Sequence, residues 1–405
     1  MAPSASPGPP DDGRVGVYVH VPFCERVCPY CDFAVVAARP LLAARERAYV
    51  DALLAELERR APAFAAAAGG PRSLASLYLG GGTPSLLAPE SVARIVAAVR
   101  DCFPPAGDVE TTLEVNPSTT ERARLPGFRA AGVSRLSVGV QSFSDDTLKR
   151  LGRAHRGAEA RATLAAARAA GFDDVSLDLI VAAPGQRLAD LERDLDEALA
   201  FAPEHVSAYQ LTIEPGTPFE RAAARGQLAL ADEDEGLAML ERLAERLEAA
   251  GLARYEISSF ARPGRTARHN RRYWRRQPVL GIGMGAWSSE PASPEAPHGA
   301  RRANVRTLDT YLARIAAGAP AAEGEPERLD PATARGEAAF LALRTSEGLD
   351  ARAFAAEFGA PPRAFWPEAI DEALAAGWLV EGETGALRLT DAGILLSDTL
   401  FARLV

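Results

Sequence analysis

Three of the chain's four cysteines, Cys24, Cys28 and Cys31, stand C-x3-C-x2-C in one eight-residue loop, directly after the alternating run Val15, Val17, Val19, Val21. Three thiolates so close together can bind a metal cluster. Each corner of a four-iron cluster that a protein holds takes one Cys thiolate. Three cysteines with no obvious fourth leave one iron open, as a catalytic metal site keeps a position for its substrate. The alternatives are a three-Cys zinc site completed by His20, or unpaired thiols in a turn. Zinc favours C-x2-C pairs arranged as two knuckles, and no second knuckle is present. His20 is in strand register, so its side chain is directed into or out of a sheet rather than at the loop.

The loop needs elements to position it. From Val15 the sequence alternates short β-branched runs, Val15–Val21, Leu74–Gly80, Val109–Val115, Arg135–Val140, Asp174–Ile180 and His205–Leu211, with segments of helical period near 45–68, 88–102, 119–131, 156–170, 187–200 and 232–250. Strand-then-helix units in series predict an α/β fold with a parallel sheet and right-handed crossovers. Six units fall short of a closed eight-fold barrel. In parallel α/β barrels the chemistry lies at the C-terminal strand ends, and unusual residues collect there. Gly80-Gly81-Gly82-Thr83-Pro84 follows the second strand, its glycines allowing backbone amides to approach a ligand or simply making a turn. Glu114, Gln141 and Asp178 end the third, fourth and fifth. A carboxylate in a barrel mouth is costly without a partner such as a ribose hydroxyl or an ammonium group. Arg153, in the loop after the fourth strand, suits a carboxylate through a two-pronged hydrogen bond. His155 reads as a capping or surface residue and Cys102 as a buried thiol rather than a fourth ligand.

C-x3-C-x2-C after a first strand resembles the signature of the radical S-adenosylmethionine (SAM) enzymes, and Y-V-H-V-P-F-C before it resembles the branch that holds anaerobic coproporphyrinogen III oxidase and the heme chaperones of the HemW type. The resemblance spans nearly all of the chain after its first residues. It implies a partial (β/α)6 barrel with a small winged-helix-like α+β domain after it. It also implies a [4Fe-4S] cluster whose open iron chelates SAM, cleaved by a reducing electron to a 5′-deoxyadenosyl radical. By the same resemblance Tyr18, Tyr30, Gly81, Gly82, Thr83, Glu114, Gln141, Arg153 and Asp178 match positions that contact SAM, and whether one or two SAM molecules bind stays open.

Between Glu256 and Glu290 there is no acidic residue, while Arg262, Arg265, Arg268, Arg271, Arg272, Arg275 and Arg276 surround His269-Asn270 and Tyr273-Trp274. Guanidinium groups, rings and an imidazole would suit a flat anionic ligand. A single-stranded nucleic acid or a solvated basic loop are the alternatives. Here the resemblance divides two paralogues. His269-Asn270-x-x-Tyr273-Trp274 is similar to the H-N-x-x-Y-W motif of the HemW type, which implies heme as cargo held near His269, Tyr273 and Trp274. Gly281 to Ser288 resembles the following G-x-G-x-G-A-H-S, with Trp287 in place of its His. Phe33 stands where the oxidases carry a further Cys, and only 17 residues precede Tyr18, too few for their N-terminal arm. The HemW type implies delivery of heme to an acceptor (respiratory) protein, an electron donor of low potential and transient contact with membrane proteins. SAM cleavage is then retained beside a mainly chaperoning role. The rival is oxygen-independent decarboxylation of coproporphyrinogen III. A methyltransferase would need an acceptor site that the sequence does not offer.

At 405 residues the chain is long for one domain, and 47% apolar with 24% charged residues is ordinary for a globular protein,. A net charge of −9 argues against a nucleic-acid binder,. Clustered cysteines without a disulfide framework, and no signal peptide or transmembrane run, point to the cytoplasm. The expected division is a disordered tail over 1–14, the barrel over 15–257, a basic segment and linker over 258–324, and the winged-helix-like domain over 325–405. Acidic residues across 345–385 favour a lid or docking role for the last of these over DNA binding.

Overall fold

A computed structural model describes residues 11–383 and 385–405. The six expected strands form β1 (Arg14–Val21), β2 (Ser73–Gly81), β3 (Pro105–Val115), β4 (Arg135–Gln141), β5 (Val175–Val181) and β6 (His205–Gln210). They pair in sequence order, each parallel to the next. The helical segments become Ala43–Ala67, Pro89–Cys102, Thr119–Ala130, Gly157–Ala169, Leu188–Ala200 and Glu233–Ala249. Their apolar faces pack with Val15, Val17, Val19, Leu77, Leu113, Val138, Leu177 and Val206 in one continuous core. Burial of this surface drives the assembly.

A parallel sheet covered on both faces is normally apolar on both. Here only the outer face is. Alternate residues carry Tyr18, Ser76, Tyr78, Thr112, Glu114, Ser137, Ser176, Asp178, His205 and Ser207, and register brings these polar groups side by side, Tyr18 opposite Tyr78, Glu114 opposite Ser137 and Asp178 opposite Ser207. The curved sheet therefore encloses a polar lumen.

The stretch 253–328, which includes the basic segment and linker expected over 258–324, carries strands that extend the sheet. β7 (Ala253–Glu256) and β8 (Ser259–Ala261) add antiparallel beyond β6, while β9 (Val279–Ile282) pairs parallel with the far side of β1. β10 (Trp287–Glu290), β11 (Ala300–Ala303) and β12 (Glu327–Arg328) follow antiparallel, giving the order β12-β11-β10-β9-β1-β2-β3-β4-β5-β6-β8-β7. No local pattern announced these strands, since each is four residues or fewer.

Of the tail expected over 1–14, residues 1–10 lie outside the described residues. The remainder is not disordered. Arg14 begins β1, Asp11 accepts from Arg72 at 2.6 Å, and Asp12 accepts from Arg272 at 3.0 Å. These guanidiniums hold the Asp11 carboxyl below its usual range and, against the opposing effect of burial, that of Asp12 as well. Cys102 is exposed, not buried, because it ends its helix on the solvent side. No described helix is long and apolar enough to cross a membrane.

The C-terminal unit has its own core around Leu343, Leu349, Phe354, Ile370, Leu379 and Leu387. Three helices, Pro331–Leu343, Ala351–Phe358 and Pro367–Ala375, precede a hairpin of Leu379–Glu381 and Leu387–Leu389. The expected turn from Gly382 to Gly385 takes in position 384, which lies outside the described residues. This unit docks on the arginine-rich stripe. Arg271 and Arg275 share Glu347, Arg276 reaches Glu357 at 2.8 Å, and the Arg344 guanidinium lies 4.7 Å from the Trp274 ring centre. Backbone bonds Ile257 N to Arg344 O (2.9 Å) and Ser346 N to Tyr255 O (3.0 Å) complete the seam. Because Glu347 is half exposed, each of its pairs is worth at most about 1 kcal/mol. Charge reversal does more, setting three cations together. Glu347→Arg is expected to lower amide protection at Ile257 and Ser346 in hydrogen exchange while the β1–β6 amides keep theirs. Unchanged protection at both would mean the stripe is not a clamp.

Candidate cluster and cofactor site

The cysteine loop leaves β1 through a two-residue ladder, Phe23–Cys24 against Val36–Ala37, closed by Val36 N to Pro22 O and Ala38 N to Cys24 O, both 2.8 Å. Cys31 N to Cys28 O at 3.1 Å folds the loop back on itself. The three thiols are half-buried. Behind them runs a hydrogen-bonded chain that joins three strand ends. Thr83 Oγ1 lies 3.8 Å from Cys24 Sγ and accepts from Asn116 Nδ2 at 2.7 Å, Asn116 Oδ1 accepts from Arg153 at 2.6 Å, and Arg153 donates to Cys28 Sγ at 3.6 Å. A cation and a hydroxyl thus face two sulfurs, as thiolates require. Burial pushes the Cys24 thiol up to about 12 and that of Cys31 upward, so iron must displace the proton,. His20 is committed elsewhere, Nε2 to Ala34 O at 2.8 Å and Nδ1 to Tyr18 OH at 3.1 Å. Among the described residues no three His, Cys, Asp or Glu lie close enough to hold one metal ion. A cluster takes its thiolates at separate corners.

The glycine loop offers something other than its amides. Gly81 N donates to Glu114 Oε2 at 3.0 Å, Gly82 N to Val21 O at 2.8 Å and Thr83 N to Phe23 O at 2.7 Å. A Cβ on Gly82 would lie 2.8–2.9 Å from the backbone of Val21, Pro22 and Phe23, and one on Gly81 (φ +108°) within 2.5–2.8 Å of the His20 ring. Glycine is required here so that β2 can press against the cysteine loop.

Above the lumen, Glu114 accepts from Tyr78 OH at 2.8 Å as well as from Gly81, and burial pushes its carboxyl up to about 7. Both Asp178 oxygens accept from Ser137 at 3.1 Å, and burial raises Asp178 to about 6. Gln141 ends β4 at φ 63°, a left-handed conformation costing about 1–3 kcal/mol,. Its amide nitrogen would lie 3.2 Å from a Cβ on Gly139, beside Arg153 and Asn116. Tyr30 lies beside Arg153, and burial raises its phenol, as it does that of Tyr18. Arg153 does not present an open fork. One nitrogen is spent on Asn116 and the Gly139 carbonyl, another on Cys28, and only its buried Nε has no partner. His155 is buried, not a surface cap, and its Nε2 donates to the Val140 carbonyl at 3.1 Å. Tyr78 and Asn116 escaped the sequence reading, although Tyr78 stands in the alternation Ser76, Tyr78, Gly80 that marks the polar face.

The arginine-rich segment forms the floor of the lumen. The helix Arg268–Trp274 is seated by Glu110, whose carboxylate accepts from the amides of Arg268 (2.8 Å) and His269 (3.0 Å), a good anion position. His269 Nδ1 pairs with Ser76 Oγ at 2.9 Å, Nε2 faces Tyr273 OH at 3.4 Å, and the ring stacks 5.3 Å from Tyr78. The residue is 1% exposed, and burial pushes its imidazole down to about 3. Both ring nitrogens of His269, the residue near which heme is expected, thus face hydroxyl groups within the protein. The arginines likewise have partners within the chain, Arg262 at the Pro203 carbonyl, Arg265 on Asp174, Arg268 on Asp108, Arg272 on Asp12, and Arg271, Arg275 and Arg276 on the seam glutamates. Trp287 is exposed at 54%.

Comparison with known proteins bears on this geometry. The radical SAM superfamily model matches residues 18–198, from Tyr18 through all three loop cysteines, and the HemN C-terminal domain model matches 329–396. The chain is 38% identical to "Heme chaperone HemW" of Mycobacterium tuberculosis over 100% of this chain and 99% of that one. It belongs to the HemW family. The Bacillus subtilis HemW heme chaperone is 33% identical over 95% of this chain and 97% of its own. Coproporphyrinogen III oxidase from Escherichia coli, a radical SAM enzyme, superposes with a TM-score of 0.80 at 23% identity, covering 98% of this chain and 90% of that one, a likeness of fold. HemW membership in the radical SAM superfamily implies a [4Fe-4S] cluster and SAM. The residues present fit both. Three half-buried thiols share one loop, and Arg153 Nε is buried without a partner beside it. When bound, such a cluster supplies an electron to the sulfonium of SAM.

Proposed function

We propose that this protein binds heme and passes it to an acceptor protein, carrying a [4Fe-4S] cluster on Cys24, Cys28 and Cys31 and SAM at the strand ends. The observation that carries this reading is the likeness, at 38% identity over the full chain, to a protein named as a heme chaperone. SAM is held among Tyr18, Tyr30, Gly81, Gly82, Thr83, Glu114, Gln141, Arg153 and Asp178. The Thr83–Asn116–Arg153 chain steadies the cysteine loop, and Glu114 and Asp178 turn carboxylates toward a cationic ligand. The protein works in the cytoplasm, where the three thiols stay reduced, with an electron donor of low potential and a respiratory acceptor. Coproporphyrinogen III decarboxylation is the weaker reading. Phe33, 62% exposed beside Cys31, gives no further thiol at the loop.

The test combines two assays on cluster-reconstituted protein. Ferric heme is titrated in and then offered to apomyoglobin, and coproporphyrinogen III is incubated with SAM and a low-potential reductant. Stoichiometric heme uptake, transfer to apomyoglobin and an untouched porphyrinogen are expected. Porphyrinogen decarboxylation without heme uptake would assign the chain to the oxidase activity instead.

A further inference from the structure

The hydrogen-bonded chain from Arg153 through Asn116 to Thr83 has a direction, and chemistry fixes it. A guanidinium only donates, so the atom of Asn116 that faces Arg153 at 2.6 Å is the amide oxygen. The amide nitrogen then faces Thr83 and donates to its Oγ1 at 2.7 Å. With that hydroxyl oxygen engaged as an acceptor, its one hydrogen is left for Cys24 Sγ, 3.8 Å away. At the other end, one nitrogen of Arg153 is tied to Asn116 and to the Gly139 carbonyl (3.1 Å), and another donates to Cys28 Sγ at 3.6 Å. A single amide thus makes both ends of the chain donors toward sulfur.

Asn116 is held in place on several sides. Its backbone N–H donates to Glu121 Oε2 at 2.9 Å, and the same oxygen accepts from Ser85 Oγ at 2.6 Å. Pro117 follows it and restricts its backbone to extended conformations. Gly139 on β4 leaves the space that the amide fills, since a Cβ there would lie 3.1 Å from Asn116 Oδ1 and 3.3 Å from the Arg153 guanidinium. The side-chain hydrogen bonds of Asn116 go to Thr83 and Arg153 and to no sulfur, so whatever it does for the cysteines it does through those two residues.

Hydrogen bonds to the sulfurs are among the factors that set the potential of an iron–sulfur cluster. The reduced form carries one more negative charge, and hydrogens aimed at sulfur favour it. We propose that Asn116 is the positioning residue that sets the reduction potential of the cluster on Cys24, Cys28 and Cys31, by directing the Thr83 hydroxyl and the Arg153 guanidinium onto two of the three sulfurs. This rests on the cluster assignment above. Its consequence is a cluster that accepts an electron more readily than bare thiolates in the same loop would allow.

The test is a redox titration of the full chain, reconstituted anaerobically and kept free of SAM, so that contacts of Thr83 or Arg153 with that ligand play no part. Dithionite is the reductant, reduced cluster is counted by electron paramagnetic resonance, and iron content and far-UV circular dichroism are recorded alongside. Thr83→Val removes the hydroxyl at nearly constant shape. It should lower the ratio of reduced to oxidised cluster at a fixed applied potential by about threefold to tenfold, tenfold being about 59 mV for one electron. Thr83→Ser keeps the hydroxyl and should titrate like wild type. Asn116→Asp keeps the shape of the side chain but offers an acceptor at both oxygens, so the Thr83 hydrogen turns to it and away from Cys24. Its potential should fall too, and in that background Thr83→Val should lower it no further, a coupling that independent sites do not show. If Thr83→Val titrates like wild type, or lowers the potential equally in both backgrounds, the proposal is wrong while the cluster assignment stands. A folded Thr83→Val that loses its iron would make Thr83 a structural brace and overturn the proposal in the same way. If wild type takes up no four-iron cluster, both fall.

Discussion

Replacing any one of Cys24, Cys28 or Cys31 with alanine leaves a folded chain that takes up no stable four-iron cluster. The three thiols share one loop, and none belongs to the continuous core, so each truncation should cost the apoprotein no more than about 0.5 kcal/mol, as at surface sites. Holding the cluster is another matter, because three thiolates are all the loop has and losing one opens a second iron. After anaerobic reconstitution, wild type should carry about four irons per chain with visible charge-transfer absorption, and each variant should lose both. Cys102→Ala, exposed at the end of its helix, should reconstitute like wild type. A single-alanine variant of the loop that retained full iron and absorption would remove the cysteine assignment, and with it the positioning role given to Thr83, Asn116 and Arg153.

The cysteine loop and the six parallel strands were legible because their signals are local. Ligand spacing occupies eight residues and strand periodicity about the same. The glycine loop was legible as a place of close backbone approach, though not what approaches it. Its amides are tied to Val21, Phe23 and Glu114, and sequence cannot tell a glycine kept for a ligand from one kept for a neighbouring backbone. The arginine stripe misled for a different cause. Its acidic partners, Glu337, Glu347 and Glu357, arrive more than 50 residues later, and nothing in a basic run indicates that its charges are spoken for. The same holds for His269, whose partner Ser76 lies 193 residues upstream. One signal was available and unread. In β2 and β5, Ser76, Tyr78 and Gly80, then Ser176 and Asp178, alternate with apolar residues where a parallel sheet should be apolar throughout. That alternation marks the lumen directly. It also explains why Glu114 and Asp178 can be ionisable at all.

The cost of that lumen falls on Glu114. Its carboxyl is raised from the ordinary 4.5 to about 7, chiefly by burial, with Asp178 adding repulsion. The folded chain therefore holds this proton more tightly than the unfolded chain. The sign follows: stability contributed by this group is greatest below about 4.5, declines as pH rises toward 7, and stays lower by about 3 kcal/mol above that. Glu114→Gln removes the titration and weakens the acceptor for Gly81 N, a loss of about 1 kcal/mol. In urea unfolding the variant should be less stable than wild type at pH 4 and more stable at pH 8. A cationic ligand reverses the penalty, since it favours the ionised carboxylate. SAM, cationic at its sulfonium, should accordingly bind wild type more tightly as pH rises from 6 to 8, releasing a proton measurable by calorimetry in buffers of different ionisation enthalpy. The variant's affinity should change far less over that range. Parallel pH curves for wild type and Glu114→Gln would mean that Glu114 does not face the bound cation, and would leave its burial without a functional return.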